Sequence, residues 1–336
     1  MAIRTPVAVF IYNRTEHLLT VLGEICKARP PKVFVFADGP QPNDDDRGRC
    51  RLVRQIADNM AWPCPVSFKY SDRNLGCSAR LVSGIERVFS ETDEAIFLED
   101  DTLPSSSFFQ FCDELVTAYR QTTNVMMISG VNPLDHWCGC DASHFFSAVG
   151  NSQAWASWKR AWAWFPTARN AWSNELVRSR VRAFLNDDEQ FIARSGIYEL
   201  PNESARNSWD YQWSLARQMQ CGLTAVPSKN LAVHAGRGAT ATHLKKRTIL
   251  DGLARLHEID FPVRCPEEIK PDRAYDRFLF EVTHNQLTEA TAKLLAQMLA
   301  ARGQTLLGFA VLRHCFEDKW TDVATDIGLA PKTTKP

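Results

Sequence analysis

Residues Ala95 to Leu98 form an apolar run that ends directly in three carboxylates, Glu99, Asp100 and Asp101. Adjacent acids repel one another and are costly to hold together unless a cation sits against them. Hard divalent cations prefer oxygen ligands of this kind, so the run predicts a metal held against a phosphate. Asp101 would be the direct ligand, with Glu99 and Asp100 contacting sugar or ribose hydroxyls, because three acids on one ion over-neutralise it. The competing reading is a solvated strand end in which Asp101 caps a helix opening at Thr102-Leu103-Pro104.

Other segments offer matching chemistry. Asp38, ahead of Gly39-Pro40, either accepts a hydrogen bond from a uracil or ribose edge or shapes a turn. Arg14 offers a charge-assisted bond to phosphate or a plane that stacks near a base. In Ser208-Trp209-Asp210-Tyr211-Gln212-Trp213 an acid lies among bulky aromatics, where partial desolvation lifts its pKa towards that of a general base. A helix N-cap is the alternative there. In Val233 to His243, glycines let the backbone approach a phosphate and Arg237 can bind it. His243 or His234 would supply a second metal ligand, a purely structural histidine being the ordinary alternative.

The elements that position these residues follow from hydrophobic period. Strands are predicted at Val7 to Tyr12, Val33 to Ala37, Val66 to Tyr70, Ala95 to Leu98 and Val125 to Ser129. Helices are predicted at Glu16 to Ala28, Asp46 to Asn59, Ser78 to Ser90 and Phe108 to Tyr119. This βαβα series implies an α/β fold, a mostly parallel sheet with helices on both faces and ligands at the carboxyl ends of the strands. Those ends carry Asn13-Arg14, Asp38-Gly39, Ser71 to Asn74 and Glu99 to Asp101.

After Gly130 the alternation stops. The spacing of Trp155, Trp158 and Trp162 predicts one helical face, either packed in the core or forming a sugar-stacking wall. A helix is expected near Glu175 to Leu185, then a polar loop up to Trp209 and a helix over Leu215 to Cys221. Short strands are expected at Leu223 to Pro227 and Leu231 to Val233. The chain beyond Lys245 reads as largely helical, including Phe278 to Asn285 and Ala290 to Ala301.

The chain has 336 residues, 45% hydrophobic and 23% charged, with Lys+Arg and Asp+Glu equal at 39 each, which speaks against nucleic acid as a partner. No stretch has the length of a transmembrane segment, and the expected location is cytoplasmic, with room for peripheral membrane association. The ten cysteines include no C-x-x-C pair, and Cys138-Gly139-Cys140 has the wrong spacing for a zinc knuckle, so reduced thiols are expected.

The ordered set resembles the glycosyltransferases of the GT-A fold, within them the N-acetylglucosaminyltransferase I type and bacterial family-2-like relatives. Tyr12-Asn13-Arg14 matches a first strand ending in Arg, and Ala37-Asp38-Gly39 a second ending in the Asp that contacts uracil. Glu99-Asp100-Asp101 matches the E-D-D form of the D-x-D motif, whose last Asp binds manganese. Asn74-x-Gly76 followed by Ser78 and Arg80 resembles the helix start of the wider inverting family, which makes Asn74 and Arg80 donor-site residues. Ser129 to Asn132 and then Phe146 to Trp164 match a strand and the acceptor stretch. Trp209-Asp210 matches the segment bearing the catalytic base, although W-D-Y-Q-W stands where the pattern has W-D-D-W, so Asp210 takes that role by position. Gly236 to His243 matches a closing G-x-x-A-T-H-like loop with Arg237 and His243.

The resemblance implies a Mn2+- or Mg2+-dependent, inverting transfer of a hexosyl group from a nucleotide sugar, a UDP-sugar, to a glycan or lipid-linked glycan acceptor in bacterial surface glycan synthesis. It implies a glycosyltransferase domain over residues 1–245, with a nucleotide-binding half 1–130 and an acceptor half 131–245. A helical extension over 246–336 has no counterpart in it. A sugar nucleotidyltransferase would want a Gly-rich loop after the first strand, and Asn13-Arg14-Thr15-Glu16 has no glycine. A non-catalytic carbohydrate-binding protein would use the Trp stretch without metal or nucleotide.

Overall fold

The computed structural model describes residues 2–137, 141–199, 209–235 and 249–329. Strand β1 (Val7–Ile11) leads to helix α1 (Leu18–Ala28), β2 (Val33–Ala37) to α2 (Asp44–Asp58), and β3 (Val66–Tyr70) to α3 (Cys77–Glu91). Next come β4 (Glu94–Glu99), β5 (Thr102–Pro104), α4 (Ser106–Ala118) and β6 (Val125–Ser129). The middle of the chain adds β7 (His144–Ser147), β8 (Ala154–Trp158), α5 (Lys159–Trp162), α6 (Glu175–Leu185), α7 (Asp188–Tyr198) and α8 (Trp209–Gln218). Strands β9 (Leu223–Pro227) and β10 (Ala232–His234) follow. Helices α9 (Ile249–Leu253), α10 (Arg273–His284), α11 (Glu289–Ala301), α12 (Thr305–Phe316) and α13 (Trp320–Asp326) complete the order.

Eight strands form one sheet in the order β3-β2-β1-β4-β8-β6-β9-β7, in which only β8 and β7 run against the rest. The chain is therefore an α/β protein with a mostly parallel sheet flanked by helices and a helical C-terminal region. Every residue of β1 and β2 is buried, as an inner parallel strand covered on both faces requires. Their alternation feeds two cores. Val7, Val9, Ile11, Val33 and Val35 pack with α1 and α4, while Ala8, Phe10, Phe34 and Phe36 pack with α3 and with Trp155, Trp162, Trp209 and Trp213. A third core joins Leu134, Phe145 and Val226 to α10, α11 and α12, so the C-terminal helices are packed onto the β9-β7 edge.

Four expectations are corrected. Thr102-Leu103-Pro104 does not open a helix: it is β5, paired antiparallel with β10 through Thr102 to His234, and α4 begins only at Ser106. Trp155 and Trp158 lie in strand β8 and not on a helix face. Three residues apart on a strand, they point to opposite sides, and each is 2% exposed in a different core, so they are packing residues. Finally, the stretch expected as a polar loop contains α7, whose N-cap Asp187 accepts from Gln190 N. The helix expected from Leu215 starts earlier, at Trp209, which places Asp210 in its first turn. The expected division at 245 and 246 falls outside the described residues.

Candidate active site

The end of β2 is built around Asp38, 6% exposed, whose carboxylate accepts three backbone N–H groups. Oδ1 takes those of Gly39 at 2.8 Å and Leu75 at 2.9 Å, and Oδ2 takes that of Gly76 at 3.0 Å. Asn74 completes the clamp by donating to Gly39 O at 2.8 Å and accepting from Gly76 N at 3.1 Å. Two glycines make this approach possible. A Cβ on Gly39 would lie 2.3 Å from the Arg73 carbonyl carbon, and Gly76 precedes α3 at φ 80°. Arg54 donates to Asp38 O and Ser71 O at 3.0 and 2.7 Å, holding the ends of β2 and β3 together. Arg80, in the first turn of α3, donates to Lys69 O with its guanidinium over the Phe36 ring.

The end of β1 meets the end of β4. Asp100 is 7% exposed and accepts from Tyr12 N at 2.8 Å. The next residue, Asp101, forms an ion pair with Arg14. The turn between β4 and β5 thus separates the acids, Asp100 bracing the backbone of Tyr12 and Asp101 lining the rim. Tyr12 and Asn13 are fixed in turn by Asp46 of α2, which accepts from the Tyr12 hydroxyl at 2.7 Å.

The β5-β10 ribbon returns a distant segment to this rim. Ala235 N donates to Asp101 O at 2.8 Å, and His234 Nε2 lies 3.6 Å from Asp101 Oδ2. Helix α8 reaches the same place from the other side, its Trp209 N meeting Ser78 Oγ at 3.3 Å. Electrostatics show how closely the acids gather. Glu99 is pushed up to about 8, by burial first and then by Asp101, Asp100 and Asp210, with Arg14 opposing. Asp100 is pushed up to about 7, by burial and then by Asp101. The Cys77 thiol rises to about 12, through desolvation and then the charges of Glu99, Asp210, Asp101 and Asp38.

Arg14, Glu99, Asp100, Asp101 and Asp210 therefore share one rim with His234, while Asp38, Asn74 and Arg80 belong to the adjoining β2-β3-α3 loops. Arg237 and His243 lie outside the described residues. Sequence reasoning passed over three residues here. Cys77 follows directly on the N-x-G motif that was noted, whereas Asp46 sits in an acidic run that reads as a solvated helix start. Arg54 carries no sequence signal.

The carboxylate-rich set suits a hard divalent ion, and burial, then the neighbouring acids, holds Glu99 and Asp100 above the usual carboxylate range. Among the described residues no group of three His, Cys, Asp or Glu could hold a metal by itself. Asp101 and His234 are thus a two-donor fit that leaves positions for ligand oxygens or for residues outside the described ones. Beside His234 a cavity of about 1070 Å³ opens towards the C-terminal helices. No helix among the described residues is long and apolar enough to cross a membrane.

No protein-family model matches the sequence, and no curated protein does. Solved structures similar to the chain include the mannosyltransferase PcManGT from Pyrobaculum calidifontis in complex with GDP-Man and Mn2+. It has 14% identity over 97% of this chain and 85% of its own, with a TM-score of 0.43. S. aureus TarS 1-349 has 12% identity over 96% of this chain and 80% of its own, with a TM-score of 0.37. An apo UDP-glucose pyrophosphorylase has 8% identity over 69% of this chain and 93% of its own, with a TM-score of 0.34.

Proposed function

We propose that this chain is a metal-dependent, inverting glycosyltransferase that moves a sugar from a UDP-sugar to an acceptor hydroxyl. The observation that carries the reading is the convergence of Asp101, His234, Arg14, Glu99 and Asp210 on one rim of the sheet. Asp101, with His234 or His243, would hold Mn2+ or Mg2+. When bound, that ion supplies charge stabilisation to the departing diphosphate. Arg14, now paired with Asp101, and Arg237 would bind phosphate oxygens. Asp38 has about one acceptor position left after its three backbone bonds, enough for one hydrogen bond from a uracil or ribose edge. Asn74 and Arg80 hold the loops around it, and Glu99 and Asp100 would contact sugar or ribose hydroxyls.

Asp210 takes the proton from the acceptor hydroxyl as its oxygen bonds to the anomeric carbon. The bond from that carbon to the diphosphate oxygen breaks on the opposite face, and the electron pair leaves with UDP. Placed in the cytoplasm, such an enzyme would act on a glycan or lipid-linked glycan.

Calorimetry of UDP with and without Mn2+ tests the reading. Wild type should bind UDP more tightly with Mn2+. In Asp101→Ala that response should vanish, while metal-free affinity holds or rises because Arg14 loses its carboxylate partner. Equal UDP affinity with and without Mn2+ in wild type, or an unchanged Mn2+ response in the variant, would overturn it.

A further inference from the structure

The cavity beside His234 has two chemically distinct ends. Gln153 immediately precedes Ala154, which pairs with Leu98, the residue before Glu99, so Gln153 lies beside the carboxylate rim, with Asn151 two residues further back holding Gln153 N. Gln190 and Arg194 of α7 add polar groups to the wall. The other end carries Ile249, Leu250, Leu279 and Leu307, which pack on the third core, with Thr283, His284 and Gln304 among them. In strand order β9 is three positions from β4, about 14 Å at ~4.8 Å per strand. A single sugar fills only a fraction of about 1070 Å³ and leaves the aliphatic wall in contact with water.

We infer that this cavity binds the acceptor, and that the acceptor is an amphiphile: a hydroxyl-bearing sugar end at the rim joined to an apolar aglycone lying against Ile249, Leu250, Leu279 and Leu307. The inference rests on the glycosyl-transfer reading for the sugar end only. The aliphatic wall comes from the C-terminal helices, so the region with no counterpart in the sequence resemblance would set acceptor class. Gln153 offers its amide to hydroxyls, Asn151 offers its NH2 group while its oxygen holds Gln153 N, and Arg194 adds a cation.

Octyl β-D-glucoside, below its micellar concentration, and methyl β-D-glucoside are the probes, titrated calorimetrically with neither nucleotide nor metal present. Burial of about half the added methylenes makes the octyl glycoside roughly a hundred-fold tighter. Leu307→Gln and Leu279→Gln should each remove about ten-fold of that preference and leave methyl glucoside binding unchanged. Leu306→Gln, one residue away at a position 84% exposed, is the matched control and should keep the full preference. Equal affinity for the two glycosides, binding of neither, or an octyl preference that survives both cavity substitutions would overturn the inference. Because UDP is absent, failure of the nucleotide reading leaves this result standing, and failure here leaves Mn2+-dependent UDP binding untouched.

Discussion

The substitution Asp38→Asn separates a structural clamp from a ligand contact at the same residue. The wild-type carboxylate has about four acceptor positions and fills three with the N–H groups of Gly39, Leu75 and Gly76. An isosteric amide keeps one oxygen and turns an NH2 group towards the third donor. With the oxygen left on Gly39 and Leu75, the new NH2 faces Gly76 N–H, donor against donor. Gly76 N retains Asn74 Oδ1 at 3.1 Å, so one charge-assisted bond is lost and two are weakened to neutral strength. Bonds to charged groups contribute ~1.5–3 kcal/mol each, against ~1 for neutral ones. The sum is a destabilisation of about 2.5–7 kcal/mol, large beside the ~5–15 kcal/mol typical of a folded domain. Urea unfolding followed by circular dichroism should show a lower midpoint with an unchanged slope. UDP affinity, measured where the variant is fully folded, should fall by no more than about ten-fold. A change under about 0.5 kcal/mol would refute the clamp, and a stable variant that no longer binds UDP would make ligand contact the main role.

Two further perturbations address chemistry and pH. Asp210→Asn should keep UDP affinity and lose transfer by about a hundred-fold or more, and turnover retained in a radiolabelled sugar assay would remove Asp210 from the base role. Asp276, 2% exposed beneath Ser147 and Ala148 N, is raised from 3.8 to about 6, chiefly by burial. Its folded pKa exceeds its unfolded one, so its contribution to stability is fully present below pH ~4 and is lost as pH rises through ~6. Two pK units correspond to about 3 kcal/mol. Asp276→Asn removes that dependence, and its unfolding free energy relative to wild type should climb by up to about 3 kcal/mol between pH 4 and 7. A flat difference across that window would contradict the assignment.

The parallel half of the sheet was legible because its strands announce themselves locally. β2, β3 and β6 occupy the residues that their apolar runs mark, and β9 and α6 likewise. What failed was non-local. Nothing in Thr102-Leu103-Pro104 reveals that its partner lies in β10, some 130 residues later. Trp155 and Trp158 mimic helical spacing because β8 is buried on both faces, which removes the polar alternation that would mark a strand. Helix α7 did carry a usable signal, the N-cap Asp187, whose carboxylate accepts from Gln190 N at 3.0 Å and from Gln190 Nε2 at 3.1 Å. For the site, the acids on the strand ends were readable as a group. The division of labour between Asp100 and Asp101 was not, because it depends on how the turn after β4 sets Asp100 against Tyr12 N at the end of β1.

The rim gathers its groups by a device that a purely parallel sheet lacks. Parallel strands bring only their carboxyl ends to one edge, and here those ends supply Arg14 and Glu99 to Asp101. β8 runs the other way, so the beginning of that strand, with Gln153, stands beside Glu99. The β5-β10 ribbon then folds His234 back over Asp101. Among the described residues the rim sets Arg14 against Asp101, Asp210 and two acids, Glu99 and Asp100, that burial and their neighbours hold partly protonated near neutral pH, and this balance has a consequence for the proposed reaction. A diphosphate approaching alone meets, among the described residues of the rim, the guanidinium of Arg14, which is already engaged with Asp101. A divalent cation is favoured by every acid at the rim, and once there it reverses the local sign for an incoming phosphate. On the proposed reading, cation and nucleotide should therefore bind with strong positive coupling, each raising the affinity for the other by the same factor.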